Sequence, residues 1–238
     1  MAVKLSVNIN KVALIRNSRG GNLPNLKQIA IDCEKFGADG ITVHPRPDQR
    51  HVRYDDLQVL KEVNTTEFNI EGYPNTEFIH IVKQVKPHQC TLVPDPPGVL
   101  TSDDGWDIPN NSELLRDVIS ELKAEGVRVS LFMLPDERLM QGAADVGADR
   151  VEFYTGEYAH NYQADRELAV SSHRLAAKAA VQSNLGVNAG HDLNLENLQY
   201  YCQQVPQLME VSIGHALISD ALYYGLQNTI MMYRKLCN

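Results

Sequence analysis

The residues of this chain best equipped for chemistry are four histidines and one glutamate: His44, His51, His191, His215 and Glu71. Imidazole has the unperturbed pKa nearest neutrality, and a carboxyl group taken out of water holds its proton more tightly. Brought to one place, such groups can take and return protons repeatedly, which is general acid/base catalysis. A single histidine reads as a solvated or packed residue, but four on one rim do not. For Glu71, in FNIEG, the competing reading is a barrel-lining glutamate paired with an arginine for structure.

A second group is cationic. Arg16, Arg19, Arg46, Arg50 and Arg53 form the densest positive cluster in an acidic chain, and guanidinium forks match phosphate oxygens bidentately. They imply an anionic substrate, although a solvated charge run is the plain alternative for Arg50 and Arg53. NAGH at Asn188 to His191 and IGH at Ile213 to His215 put glycines where backbone N–H groups could hold a second phosphate. Each glycine could equally be a tight turn. Of ten lysines only Lys11 is near the same rim, as a Schiff-base candidate or a phosphate contact.

Elements must bring these residues together. Short β-rich runs are expected at Lys4 to Asn8, Gly40 to His44, Glu67 to Glu71, Gln89 to Val93, Val127 to Met133, Arg150 to Tyr154, Gly186 to Ala189 and Met209 to Ile213. Amphipathic stretches follow them: Asn25 to Phe36, Asp55 to Val63, Thr76 to Val85, Ser112 to Ala124, Asp136 to Val146, Asp165 to Ser183, Leu193 to Gln204 and Ala216 to Leu236. Leu26, Ile29, Ala30 and Cys33 repeat at i, i+3, i+4, i+7, and Gly37 stands where a left-handed cap would end that helix. Gly126, Gly147 and Gly186 punctuate later helices. FGADGITVH at Phe36 to His44 is echoed by VGADRVEFY at Val146 to Tyr154, four units on.

Strict β/α alternation requires a parallel sheet with crossovers. Eight units, no Gly-rich dinucleotide fingerprint after the first strand and no domain linker favour a closed α/β (β/α)8 TIM barrel, one domain over residues 1–238, above an open doubly wound sheet. The site is then expected at the carboxyl ends of the strands. The loop from Pro94 to Asn110 and the segment Thr155 to Asn161 are candidate lids.

With 22 Lys+Arg against 30 Asp+Glu, the formal charge of −8 disfavours nucleic acid and anionic membranes as partners. No apolar run reaches the length of a membrane span and Met1 to Asn10 lacks a secretory apolar stretch, so a cytoplasmic location is expected. Cys33, Cys90, Cys202 and Cys237 are scattered and read as reduced thiols, mostly core. There is no P-loop, GxSxG, CxxC or HExxH. No metal and no cofactor is expected, although His44, Glu71 and His191 are ligand types that suit zinc or iron.

In order along the chain, SVNIN with RNSRGG, GITVHPRPDQRHV, FNIEGYP, TLVPDPPG, YTGEYA, VNAGHDL and VSIGHALI together resemble the pyridoxine 5'-phosphate synthase family of the deoxyxylulose-dependent vitamin B6 route. The resemblance implies a cytoplasmic (β/α)8 enzyme, a homo-octamer built from dimers. It implies two phosphorylated substrates, 1-deoxy-D-xylulose 5-phosphate and 3-amino-2-oxopropyl phosphate, condensed to pyridoxine 5'-phosphate, phosphate and water. It also implies acid/base roles for His44 and Glu71 and a proton-donating His191. The deoxyxylulose phosphate would lie on Arg46, His51 and Thr101, and the amino-ketone phosphate near Asn8, Arg19, Asp192, Gly214 and His215. Where the family frequently has Asp-His after the first strand, this chain has Asn10-Lys11, which keeps hydrogen bonding and positive charge but not the same proton chemistry. The alternatives are a metal-dependent barrel isomerase or hydrolase using His44, Glu71 and His191 as ligands, and a non-catalytic barrel that binds a sugar phosphate.

Overall fold

Along every strand two kinds of residue alternate, and the alternation fixes the architecture. In a computed structural model, which describes residues 2–95 and 104–238, the strands β1 (Lys4–Asn8), β2 (Gly40–Val43), β3 (Glu67–Gly72), β4 (Gln89–Leu92), β5 (Arg128–Met133), β6 (Arg150–Tyr154), β7 (Gly186–Gly190) and β8 (Leu208–Ile213) close into an eight-stranded parallel barrel in sequence order. Leu5, Val7, Ile41, Val43, Phe68, Ile70, Val129, Leu131, Val151 and Phe153 are buried in the layer shared with the helices. Removing each such side chain from water contributes roughly 1.5–3 kcal/mol. These aliphatic faces therefore drive closure of the wall.

The opposite faces are polar. Ser6 Oγ lies 2.7 Å from Thr42 Oγ1, Asn69 Nδ2 donates to Thr42 Oγ1 at 3.4 Å, and Thr91 Oγ1 lies 3.1 Å from Asn69 Oδ1 and 3.3 Å from Glu152 Oε2. Glu67 closes the floor, contacted by Arg128, by Arg150 at 3.8 Å and by Lys4 at 3.7 Å. Branched aliphatic residues usually fill this space; here amides, hydroxyls and charges do.

The helices are α1 (Asn10–Asn17), α2 (Leu26–Lys35), α3 (Tyr54–Val63), α4 (Thr76–Val85), α5 (Ile108–Ala124), α6 (Met140–Asp145), α7 (Gly156–Gln182), α8 (Leu198–Gln204), α9 (His215–Tyr224) and α10 (Leu226–Leu236). Several departures from the sequence expectation have local causes. Helix α1, unforeseen, has only 8 residues. Helix α5 starts a turn early because Asp107 accepts from the Asn110 N–H and Pro109 fits the first turn. A short 3-10 turn, Glu137–Leu139, precedes α6. Helix α7 begins at Gly156 and bends at Asp165, whose backbone is non-helical. Thr155 to Asn161 is thus a strand-to-helix junction and not a loop that could close. The final stretch is two helices, broken at Gly225. Before β7 the left-handed residue is Asn184, not Gly186. Cys33, Cys90 and Cys237 are buried and Cys202 partly so, all free thiols.

Candidate active site

Where β1 ends, the chain turns into α1 within two residues, and three side chains hold that turn against its neighbours. Asn10 Oδ1 accepts from the His44 backbone N–H at 2.9 Å. Asn8 Oδ1 accepts from the Asn10 N–H at 3.1 Å, and Asn8 Nδ2 donates to Glu71 Oε2 at 3.5 Å. The ends of β1, β2 and β3 are linked through these amides.

His44 follows β2 and is buried. Its imidazole is held well below its ordinary pKa by burial first and then by Arg46, His51 and Arg50. It is a neutral base at physiological pH. The His51 ring lies 6.3 Å from that of His44 and is also lowered, to about 4, by burial and by Arg50 and Arg46, with Lys11 adding to the effect. Val52 N–H donates to His51 Nδ1 at 3.0 Å, so the proton of the neutral ring sits on Nε2. The His51 carbonyl is fixed by Asn17 Nδ2 at 2.7 Å and Arg16 NH2 at 3.2 Å.

One of the expected phosphate-binding cations is used in the fold. Arg16 makes a bidentate pair with Asp56 at 2.6 and 2.8 Å, and Arg53 is the exposed N-cap residue of α3, its N–H donating to Asp56. Arg46 is buried beside His44, with Asp95 lining the same pocket. Lys11 and Arg19 are exposed at the two ends of α1. Thr101 lies outside the described residues.

Three carboxyl groups occupy the barrel interior. Glu71, on β3, is raised well above the usual carboxylate range by burial and by the negative potential of Glu152 and Glu210. Burial likewise lifts Glu152 to about 7, against the Thr91 hydrogen bond and nearby His191. Glu210 is pushed up to about 8 by burial and Glu67, against Arg150 and Arg128. A Cβ on Gly190 would come within 2.4 Å of Glu152 Oε1, so only a glycine leaves that carboxyl its place.

His191 follows β7 with a left-handed backbone, φ 81°, and Asp192 repeats it at φ 54°. Thr155 Oγ1 donates at this turn, 2.7 Å from the Gly190 carbonyl and close to that of His191. The His191 ring packs edgewise on Tyr154 at 5.1 Å, and its Nδ1 donates to Asp192 Oδ2 at 2.9 Å. Asp192 is lowered by that bond and by the potentials of His191 and His215. Gly214 brings β8 onto Asn8, where an added Cβ would sit 3.1 Å from Asn8 Cβ, and His215 opens α9 at the surface.

Contacts thus run from His51 and His44 through Asn10 and Asn8 to Glu71, with Glu152 near His191, which pairs with Asp192 within reach of the His215 potential. Of the remaining histidines, His80, His88 and His160 are exposed, and His173 is buried, 2.8 Å from the Tyr201 hydroxyl. Sequence reasoning missed Glu152, Tyr154 and Glu210. The signal was present: the repeat that aligns the two segments sets Thr42 on Glu152 and His44 on Tyr154. Among the described residues no three His, Cys, Asp or Glu side chains converge as a metal-ligand set, and no helix is long and apolar enough to cross a membrane.

A closed ring of eight parallel strands with proton-active side chains at its carboxyl ends defines a (β/α)8-barrel enzyme. Solved structures of the same fold include tryptophan synthase of Mycobacterium tuberculosis (TM-score 0.68, 12% identity, covering 99% of this chain and 93% of that one). Another is orotidine 5'-monophosphate decarboxylase of Methanocaldococcus jannaschii (TM-score 0.66, 10% identity, all of both chains). Residues 5–238 match the family described as pyridoxal phosphate biosynthesis protein PdxJ, and the chain belongs to that family. Relatives named pyridoxine 5'-phosphate synthase include those of Bacteroides fragilis strain YCH46, 57% identical over 231 residues (97% of this chain, 98% of the relative), and Cytophaga hutchinsonii, 56% identical over 230 residues (97% of each).

Proposed function

We propose that this chain is a pyridoxine 5'-phosphate synthase that condenses 1-deoxy-D-xylulose 5-phosphate with 3-amino-2-oxopropyl phosphate by acid/base catalysis. One observation carries the reading: the backbone of His44, whose buried imidazole is held towards its neutral form, is linked through two asparagines to Glu71, a carboxyl whose proton affinity is raised, at one rim. A stepwise condensation needs groups that take up and return protons available together.

In this mechanism the amine of one substrate attacks the ketone of the other, giving an imine between substrates and releasing water. No enzyme lysine is required. Glu71 and His44 remove protons beside the imine, phosphate departs, and a carbon–carbon bond, the second link between the two substrates, closes the ring. His191 protonates a hydroxyl that leaves as a second water; Asp192 fixes its Nδ1, which leaves Nε2 to exchange the proton. Glu152, titrating near 7, joins the proton traffic beneath. Arg46 and His51 bind one phosphate. Asn8, Arg19, the Asp192 N–H and the Gly214–His215 turn bind the other, where α9 offers free N–H groups. Lys11 adds positive charge at the rim.

A homo-octamer built from dimers is part of the proposal, supported by exposed Leu222, Tyr223, Tyr224 and Met231 on α9 and α10. A cytoplasmic location is proposed with it.

The test mixes purified protein with both substrates and a chelator, and follows inorganic phosphate and the ring chromophore. Product under chelation is expected. Absence of product removes the assignment. Activity restored only by added zinc or iron selects the metal-dependent reading, and tight binding of either phosphate ester without turnover selects a non-catalytic barrel.

A further inference from the structure

The β1–β2 ladder runs out of backbone acceptors one step before His44. Parallel pairing gives the Ile9 N–H to the Thr42 carbonyl at 3.2 Å, and the next bond of that pattern would run from the His44 N–H to the Ile9 carbonyl. That carbonyl is already engaged by α1, accepting from the Ala13 N–H at 3.2 Å. The His44 N–H is instead received by Asn10 Oδ1 at 2.9 Å. Asn10 is itself pinned, its own N–H donating to Asn8 Oδ1 at 3.1 Å. An unmatched backbone N–H beside a buried imidazole would otherwise be costly.

The choice of an amide also has an electrostatic side. From its own loop His44 faces Arg46, Arg50 and His51. From α1 comes Lys11, close enough to act on His51. Glu71 is reached from β3 through Asn8, and Asp95 after β4, with Tyr54 and Tyr73, lines the pocket that His44 shares with Arg46. A carboxylate at position 10 could accept the same hydrogen bond, but it would add a negative charge next to the ring.

We infer that Asn10 is a positioning residue: its side-chain carbonyl replaces the strand acceptor lost to α1, fixes the backbone of His44, and does so without a charge that would favour imidazolium. The inference deepens the proposed mechanism and rests on its assignment of His44 as a base.

The test follows the His44 Cε1 proton by NMR in the ligand-free protein, assigned with His44→Gln, in wild type, Asn10→Asp and Asn10→Ala. In Asn10→Asp the onset of His44 protonation is expected to rise by about one pH unit, the order of shift a unit charge a few ångströms away produces where solvent is partly excluded. The acidic limb of kcat/KM should move up with it. In Asn10→Ala the onset should stay near wild type while kcat falls about ten- to hundredfold, KM changing far less, as a misplaced base predicts. Asn10→Asp should recover most of that kcat above the new limb. A His44 onset in Asn10→Asp that coincides with wild type overturns the inference, as does wild-type kcat in Asn10→Ala. If Asn10→Ala does not fold, Asn10→Asp, which keeps the acceptor, decides alone. Because the NMR arm needs no turnover, its failure strikes only Asn10, whereas absence of product from both substrates strikes only the proposed reaction.

Discussion

Replacing Glu152 by glutamine tests the electrostatics of the barrel interior. Glu152 is almost wholly buried, and its carboxyl rises from 4.5 to about 7. A raised carboxyl binds its proton more tightly in the native state than in the unfolded chain. Stability is therefore undiminished below the unfolded pKa and is lost as pH rises from about 4.5 towards 7. Integrating the two titrations, Glu152 costs the fold roughly 2 to 3 kcal/mol more at pH 8 than at pH 5. Glutamine has the same shape and can still accept from Thr91, but it has no proton equilibrium. Urea denaturation of both proteins at pH 5, 6, 7 and 8 measures the difference. Glu152→Gln should be the more stable protein at pH 8, with its advantage shrinking to under 1 kcal/mol at pH 5. Removing the negative charge also lowers the proton affinities of Glu71 and Glu210, which flattens the variant's profile further. Parallel stability–pH curves for the two proteins would refute the claim that this carboxyl is forced into its protonated form by the fold.

His191→Asn, chosen because asparagine tolerates the left-handed backbone better than alanine, should lower kcat by about 10²- to 10⁴-fold with KM little altered; steady-state kinetics with both substrates read it out. Gly190→Ala should destabilise by about 1–3 kcal/mol in urea melts, since its methyl group meets Glu152 Oε1. Arg16→Met leaves Asp56 without its bidentate partner and removes one of the donors that fix the His51 carbonyl; a loss of about 3–5 kcal/mol by the same assay is expected, together with a higher KM for the substrate proposed to lie on His51. Arg53→Met, by contrast, should leave the Arg16–Asp56 pair intact and change stability by less than about 0.5 kcal/mol.

The barrel was legible because its strands are short β-rich runs set between amphipathic helices, and that period survives any detail of packing. β1 and β6 match the expected limits at both ends. Helix α1 was not legible, since eight residues after a strand end give too few turns for a periodic stripe. The bend of α7 at Asp165 hid its first part, and the helical pattern across Gly225 concealed a break. At the site, histidines at strand ends announce themselves by residue type. Glu152 and Glu210 do not, because a glutamate inside a strand is notable only once its parity is known to face an interior. The arginine cluster misled in part for a related reason: sequence proximity of Arg16 to the rim says nothing about Asp56, which engages its guanidinium.

The polar lining of this barrel leaves the chain with stability held in reserve. Collapse is driven by the aliphatic annulus between wall and helices, whereas the acids housed within the wall work against the native state at neutral pH. Neutral isosteres inside the ring should therefore yield hardier but slower proteins, and a lineage freed from selection for turnover would be expected to drift towards them.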